Sequence, residues 1–541
     1  MGFVGVLGFK ALEKKTEKGF PDFSAPQVVA LPRTIDDCYI SPSRWGKLAV
    51  VPCVSIPLVI RTFCRQFASI FKRPEQYTNF EALITGLVVS ENKTIAGIYQ
   101  CLPFGPTYES LHHFMTESPW SVDDLRLLRL RLVKERMVTR KKDPDILCIA
   151  ASNATAYGAS KNGGNNAGGT PNDTRCSPQN PHQSSDKELR IAQLDATFTH
   201  HTTEGIYGVY WYWDYAKHSY TLAQRLVISS LVNVGKLVPL GWKVYHRGFL
   251  ADQKLFLEAQ KPAPNADETA WQEYNELLKQ YEQNEMEHKT QPVLAGELVD
   301  ESEEHNLGVD VYVCDAALGT AELLDKIAEY GKAWVTRLSE TRLVQTAKGG
   351  YEQVRAFAKS LPKDAFKPVD VETRHGEKRR YWCFTKCVMI KNWKKVRMVI
   401  SYDNEQLDGD PIYIITNRKN WNQPKRVVQL YMRRDPIEHL IRDGKQEIGL
   451  EDSQQRKQDA VRRHWELSFT AHTFLELGFE VPNLPGVPTV KLETIGQKTR
   501  LMKGALLQGL VNLVAQWVLE GRDLKEFIWL LMLRRLDRRA A

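Results

Sequence analysis

"YMRRDPIEHLIRDGK", Tyr431 to Lys445, sets one carboxylate, Glu438, among cations. On a helix, Arg434 and Arg442 lie one turn to either side of it and Lys445 two turns on. Two readings fit. In the structural one, Asp435, Pro436 and Glu438 are the N-cap, first and third helical residues, a capping box with Asp in the Ser/Thr place. Ile437, Leu440, Ile441 and Ile448 then form the buried stripe. In the functional one, Glu438 is held for a ligand. An exposed Glu–Arg pair is worth only about 0.3–0.5 kcal/mol, so the rest of the chain has to decide.

The chain has 541 residues, too many for one core, which predicts two to four domains or one domain with large insertions. Nine scattered cysteines, an odd number with no Cys-x-x-Cys, read as reduced thiols of a cytosolic protein. The start, "MGFVGVLGFKALEKK", lacks a cationic leader region and a cleavage site. "GALLQGLVNLVAQWVL" carries Gln508, Asn512 and Gln516 at every fourth position, a polar stripe that predicts packing on protein rather than a membrane span. The net charge is +8, but residues 251–306 hold 14 acids and 4 bases, leaving +18 on the remainder. Such segregation suits one face on a polyanion with an acidic piece turned away, although charge runs are also ordinary solvated faces.

Residues 1–150 read as helical. Leu125 to Lys142 holds eight bases and one acid. Leu125, Leu128 and Leu132 share one face, and Arg126, Arg129 and Arg136 are candidates for phosphate contact on the other. Residues 151–187 are a low-complexity linker rich in Gly, Asn, Ser and Pro. "LRIAQLDATF" predicts a strand ending at Asp195, followed by two antiparallel strands in "LAQRLVISSLVNV" and "LVPLGWKVYHRG". An acidic helical insert spans 251–306. "VDVYVCDAALGT" predicts a strand ending at Asp315, then a helix, "AELLDKIAEYG", and a strand, "KAWVTRL". Residues 339–430 read as a β-rich insertion. Within it, 371–400 hold nine bases and two acids, with Tyr381, Trp382, Phe384 and Trp393 interleaved. Arg379, Arg380, Lys394 and Lys395 there fit phosphate contact beside base stacking, while packing of a small sheet gives the same alternation. Helical pattern resumes over 431–480 and 481–541.

The three acids stand 120 and 123 residues apart. A carboxylate at the edge of a sheet core must be solvated, paired or bound to a cation. If the two strands are neighbours, Asp195 and Asp315 meet, and a helix packed on that sheet can bring Glu438. Three such groups repel unless a cation lies among them, and oxygen-only donors suit Mg²⁺ or Mn²⁺. His200 and His201, adjacent on a strand, point to opposite faces and do not share one ion easily.

Tyr431, Arg434, Glu438 and Lys445 stand at the Tyr-x2-Arg-x3-Glu-x6-Lys spacing of bacterial insertion-sequence transposases of the DDE type, which the chain resembles. "FEALITGLVVSENKTIAGI", "LHHFMTESPW" and the segment after Lys445 carry the resemblance further. It implies an α/β fold with an RNase H-like catalytic core over 188–338 and 431–480, preceded and followed by helical regions. It implies that Asp195, Asp315 and Glu438 bind two Mg²⁺ or Mn²⁺ ions, that Arg434 and Lys445 contact transposon-end phosphates, and that Tyr431 positions the DNA. Double-stranded DNA ends and target would be the partners, with a homodimer assembled on them. The expected activity is metal-dependent cleavage and transfer of DNA strands in the bacterial cytoplasm, at the nucleoid. In the first two motifs, Leu194 precedes Asp195 and no aromatic follows Asp315 closely. A catalytically retired DNA-binding protein, or a nuclease that cuts without joining, is the alternative.

Overall fold

The computed structural model describes residues 53–54, 56–138, 189–214, 217–233, 235–246, 248–264, 266–347, 349–372, 377–478 and 492–533. The linker at 151–187 lies outside them.

The first helices are α1 (Leu58–Arg65), α2 (Pro74–Val89), α3 (Ile95–Cys101), α4 (Tyr108–Thr116) and α5 (Val122–Val133), the last running into a π-helical turn, Lys134–Val138. Thr94, Thr107 and Ser121 cap three of them, each accepting a backbone N–H three residues on. These helices pack around α13 (Gln458–Gly478), far along the chain. Phe63 stacks on Phe474 with centroids 5.0 Å apart. Arg463 donates to the carbonyls of Phe114, Met115, Ser118 and Trp120 while its guanidinium lies over the Trp120 ring.

A ten-stranded sheet forms the centre. Strands β1 (Ile191–His200), β2 (Tyr210–Asp214), β3 (Ser219–Asn233) and β4 (Lys236–Tyr245) are antiparallel neighbours, with β2 and β4 both paired to β3. On the other side of β1 come β5 (Val311–Cys314) and β6 (Ala333–Arg337), both parallel. Between β4 and β5 run α6 (Gly248–Gln260), α7 (Glu268–Glu287) and α8 (Gln291–Glu304); α9 (Ala321–Glu329) is the crossover from β5 to β6.

The region read as an inserted β-structure continues this sheet. After the hairpin β7 (Leu343–Gln345) and β8 (Tyr351–Gln353) and helix α10 (Val354–Ser360), the strands β9 (Lys367–Glu372), β10 (Lys378–Met389), β11 (Lys395–Tyr402) and β12 (Ile412–Thr416) form a meander. Strand β12 pairs antiparallel with β6 and joins the two halves.

One face of the sheet, with Ile191, Val313, Val335, Val399 and Ile414, is covered by Val427, Val428 and Leu430 of α11 (Pro424–Met432). Helix α12 (Asp435–Glu447) follows at once. Leu194, Tyr312, Cys314 and Trp334 face the other way, into the cluster shared with Leu298 of α8 and Leu324 of α9. The last helices are α14 (Ile495–Leu519) and α15 (Leu524–Leu533). No helix among the described residues is long and apolar enough to cross a membrane.

Two expectations are corrected. Strand β1 runs five residues past Asp195 because its pairing with β3 continues to His200; only the pairing with β5 stops at Leu194. The capping box at α12 does not form. Arg434 takes the N-cap position, no side chain caps there, and Glu438 turns to Arg434 instead.

Candidate active site

Parallel pairing of Leu194 with Cys314 sets Asp195, the next residue of β1, and Asp315, the first residue past β5, each one step beyond the last paired residues of the two strands. Asp315 opens a tight turn: the N–H groups of Leu318 and Gly319 donate to its carbonyl at 3.1 and 3.0 Å. Thr336 of β6, fully buried, donates its Oγ1 proton to the Cys314 carbonyl at 3.0 Å. A Cβ on Gly319 would stand 2.6 Å from that Oγ1, so the close approach requires glycine.

The α11–α12 junction brings the third acid. Arg434 Nη1 lies 3.6 Å from Asp195 Oδ2 and 3.5 Å from Asp315 Oδ1, and Nη2 pairs with Glu438 Oε1. Three carboxylates from three elements thus share one guanidinium. Asp195 is the most enclosed of the three and Glu438 the most exposed. Burial pushes the Asp195 carboxyl up to about 6. Arg434 and the Ala196 N–H, 2.8 Å from Oδ1, work against that rise, and Asp315 and Glu438 add to it.

The junction is latched to the sheet from below. Gln193, fully buried and two residues before Asp195 on the same face of β1, donates its side-chain amide to the Arg433 carbonyl. Its Oε1 accepts from Ser230 Oγ at 2.7 Å. A polar residue in an apolar strand, in phase with Asp195, is the signal that could have singled out Gln193.

Lys445 lies on the same helix as Glu438, but its Nζ donates to the Phe198 carbonyl and pairs with Glu451 at 2.6 Å. Tyr431 is half-buried against the cluster under α11, and burial raises its phenol.

The expected phosphate-contacting face of α5 is corrected. Arg129 is fully buried and Arg126 nearly so. Their Nε atoms donate to the two oxygens of the buried Glu466 on α13, at 2.7 and 3.1 Å, and Arg129 also donates to the carbonyls of Pro239 and Leu240. Burial alone would raise the Glu466 carboxyl, but the two guanidinium groups outweigh it and hold it below its ordinary value. Arg136 is half-buried in the π-helical turn.

In the β10–β11 region, Arg379 and Lys395 are exposed. Arg379 pairs with Glu377 at 3.7 Å, and Arg380 is held by Asp370 at 2.7 and 3.1 Å. Lys394 pairs with Asp325. The interleaved aromatics pack on protein: Trp382, Phe384 and Trp393 against the main core and Tyr381 on the opposite face. Their alternation is therefore that of packing. Exposed rings on the Asp195 face lie elsewhere: Trp211, Trp213 and Tyr220 on the β2–β3 hairpin, in phase with Asp195 through the β1–β3 register.

Oxygen donors from three carboxylates are the chemistry a hard divalent ion takes. Among the described residues, no group of three or more His, Cys, Asp or Glu is placed to hold a metal as it stands. The donors fit such an ion in kind, in an arrangement shaped around Arg434.

Residues 253–474 match the family described as transposase DDE domain. The span includes Asp315, Tyr431, Arg434, Glu438 and Lys445, and begins beyond Asp195. The chain is also similar to the probable transposase for insertion sequence element IS701 of Microchaete diplosiphon, with 31% identity over 103 residues. That alignment covers 18% of this chain and 26% of the relative, about a quarter of its length. Both likenesses agree with the resemblance to insertion-sequence DDE transposases carried by the sequence motifs.

Proposed function

We propose that this chain is a DDE-type DNA transposase that cuts and joins DNA strands at the terminal inverted repeats of its own insertion sequence. The observation that carries the reading is the meeting of Asp195, Asp315 and Glu438, from three separate elements, on one cation. The strand order β4–β3–β1–β5–β6, three antiparallel strands then two parallel ones, supports an RNase H-like core.

Asp195, Asp315 and Glu438 would hold two Mg²⁺ or Mn²⁺ ions, which supply activation of the attacking water or 3′-hydroxyl and charge relief at the leaving oxygen. The chain's own part is to fix these donors. Strands β1 and β5 set the two aspartates in register, Gln193 ties the α11–α12 junction to β1, and Glu438 projects from the first turn of α12. Arg434, Lys445 and Tyr431 would grip the DNA end, with Arg379, Arg380, Lys394, Lys395 and Arg136 as outlying phosphate contacts. Residues 1–150 would recognise the repeats, and a homodimer would bring two ends together.

The test is excision from a plasmid carrying the gene with its native flanks, scored by sequencing the empty donor junction. Junctions from the wild type and none from Glu438→Gln are expected. Junctions from neither, with specific binding to the flanks retained, would favour a retired DNA-binding protein. Cut ends without joined products would favour a nuclease.

A further inference from the structure

Arg434 does more than neighbour the three acids. Its side chain is mostly buried and spans all of them, while its backbone is fixed by an N–H donated to the Tyr431 carbonyl at 2.9 Å. Its contacts to Asp195 and Asp315, at 3.6 and 3.5 Å, are ion pairs too long for direct hydrogen bonds. They balance charge without locking the guanidinium in place. Glu438, its closest partner, is half exposed. The long side chain can therefore leave toward solvent while the main chain stays where Gln193 holds it.

Lys445 does not fill this role, because the Phe198 carbonyl and Glu451 occupy its ammonium group. Without Arg434, the buried Asp195 would face Asp315 and Glu438 with no compensating charge, which is costly.

We propose that Arg434 is the resident cation of this site: it holds the three carboxylates together in the metal-free chain, and a divalent ion binds by displacing it. This rests on the reading of Asp195, Asp315 and Glu438 as metal donors. Arginine and metal then compete for the same oxygens, and each weakens the other's hold by the same factor. Metal entry frees a guanidinium at the mouth of the site, where it can take a DNA phosphate. The chain alone thus binds metal weakly, and the cost of emptying the site is set by one side chain.

The experiment is Mn²⁺ binding to the full chain without DNA, read from the free-ion signal by electron paramagnetic resonance. Arg434→Gln should bind Mn²⁺ about tenfold or more tightly than wild type, the scale on which a neighbouring charge shifts a carboxylate's proton affinity. Arg434→Lys should stay within a few-fold of wild type. Unchanged or weaker binding by Arg434→Gln overturns the inference. Should that variant fail to fold, arginine side-chain NMR of the wild type decides: the Arg434 Nε–H signal, assigned by its loss in Arg434→Lys, should pass from restrained to mobile as Mg²⁺ is added. A signal that stays restrained at saturating Mg²⁺ overturns the inference. If Mn²⁺ binding needs Asp195 and Glu438 yet ignores Arg434, this inference alone falls. If no Mn²⁺ binds at all, the metal reading falls with it.

Discussion

Gln193 and Arg433 are joined by a single side-chain-to-carbonyl hydrogen bond, and that bond ties the strand carrying Asp195 to the turn carrying Arg434 and Glu438. Gln193→Leu removes it and takes from the buried Ser230 hydroxyl the oxygen it donates to. The expected destabilisation is about 1–3 kcal/mol, read from the urea midpoint. Strand cleavage should fall by more than the folded fraction does. Equal losses would make Gln193 a packing residue only.

Replacing a carboxylate of the triad tests its role in the chemistry. Asp315→Asn should lower cleavage by at least about a hundredfold, because metal-assisted charge stabilisation is worth several kcal/mol. DNA retention in a gel shift should stay within a few-fold of wild type. A variant with near-normal cleavage would remove Asp315 from the site.

The Arg126–Glu466–Arg129 cluster is a stability element. Glu466→Gln strips the buried Arg129 of its carboxylate partner and leaves Arg126 with Glu301 alone, 3.6 Å away. A loss of about 3–5 kcal/mol is expected, seen as a large drop in the urea midpoint. No shift would mean that water reaches the cluster.

Acid should weaken the fold through two histidines on α13. Burial lowers His464 and His472 from 6.5 to about 4. A base held below its unfolded value contributes stability that is present above 6.5 and is lost as the pH falls toward 4. Each accounts for a loss on the order of 3 kcal/mol by pH 4. Among the described residues, neither ring nitrogen of His472 has a hydrogen-bond partner. His472→Leu should therefore flatten the acid slope of stability without lowering the midpoint at pH 7. A slope unchanged in that variant would place the acid sensitivity elsewhere.

DNA affinity should fall steeply with salt, and Arg379→Ala and Lys395→Ala should each reduce the salt slope by about 1. Both side chains are exposed. A flat response would move the DNA away from β10 and β11.

Local pattern carried the sequence reading as far as local forces reach. The apolar run into Asp315, the helix with Ile437 and Leu440 inside, and the β3–β4 hairpin all form where periodicity put them. Tertiary partners decided the rest. Arg126 and Arg129 read as an outward basic face because Glu466, which buries them, lies 340 and 337 residues away. The capping box was sound local chemistry, but Arg434 drew Glu438 away. The pairing of β12 with β6, which merges the β-rich stretch into the sheet, has no signature in either strand alone.

The Arg126–Glu466 contact also sets an order of events during synthesis. Helices α1–α5 are made first, yet the helix they wrap, α13, is made last but for α14 and α15. At about 5–20 residues per second, the 340 residues between Arg126 and Glu466 take on the order of 20 to 70 s to emerge. Through that interval Phe63, Phe67 and Trp120 have no α13 to cover them. A ribosome that stops short of α13 releases a product whose opening helices lack the helix that closes their core.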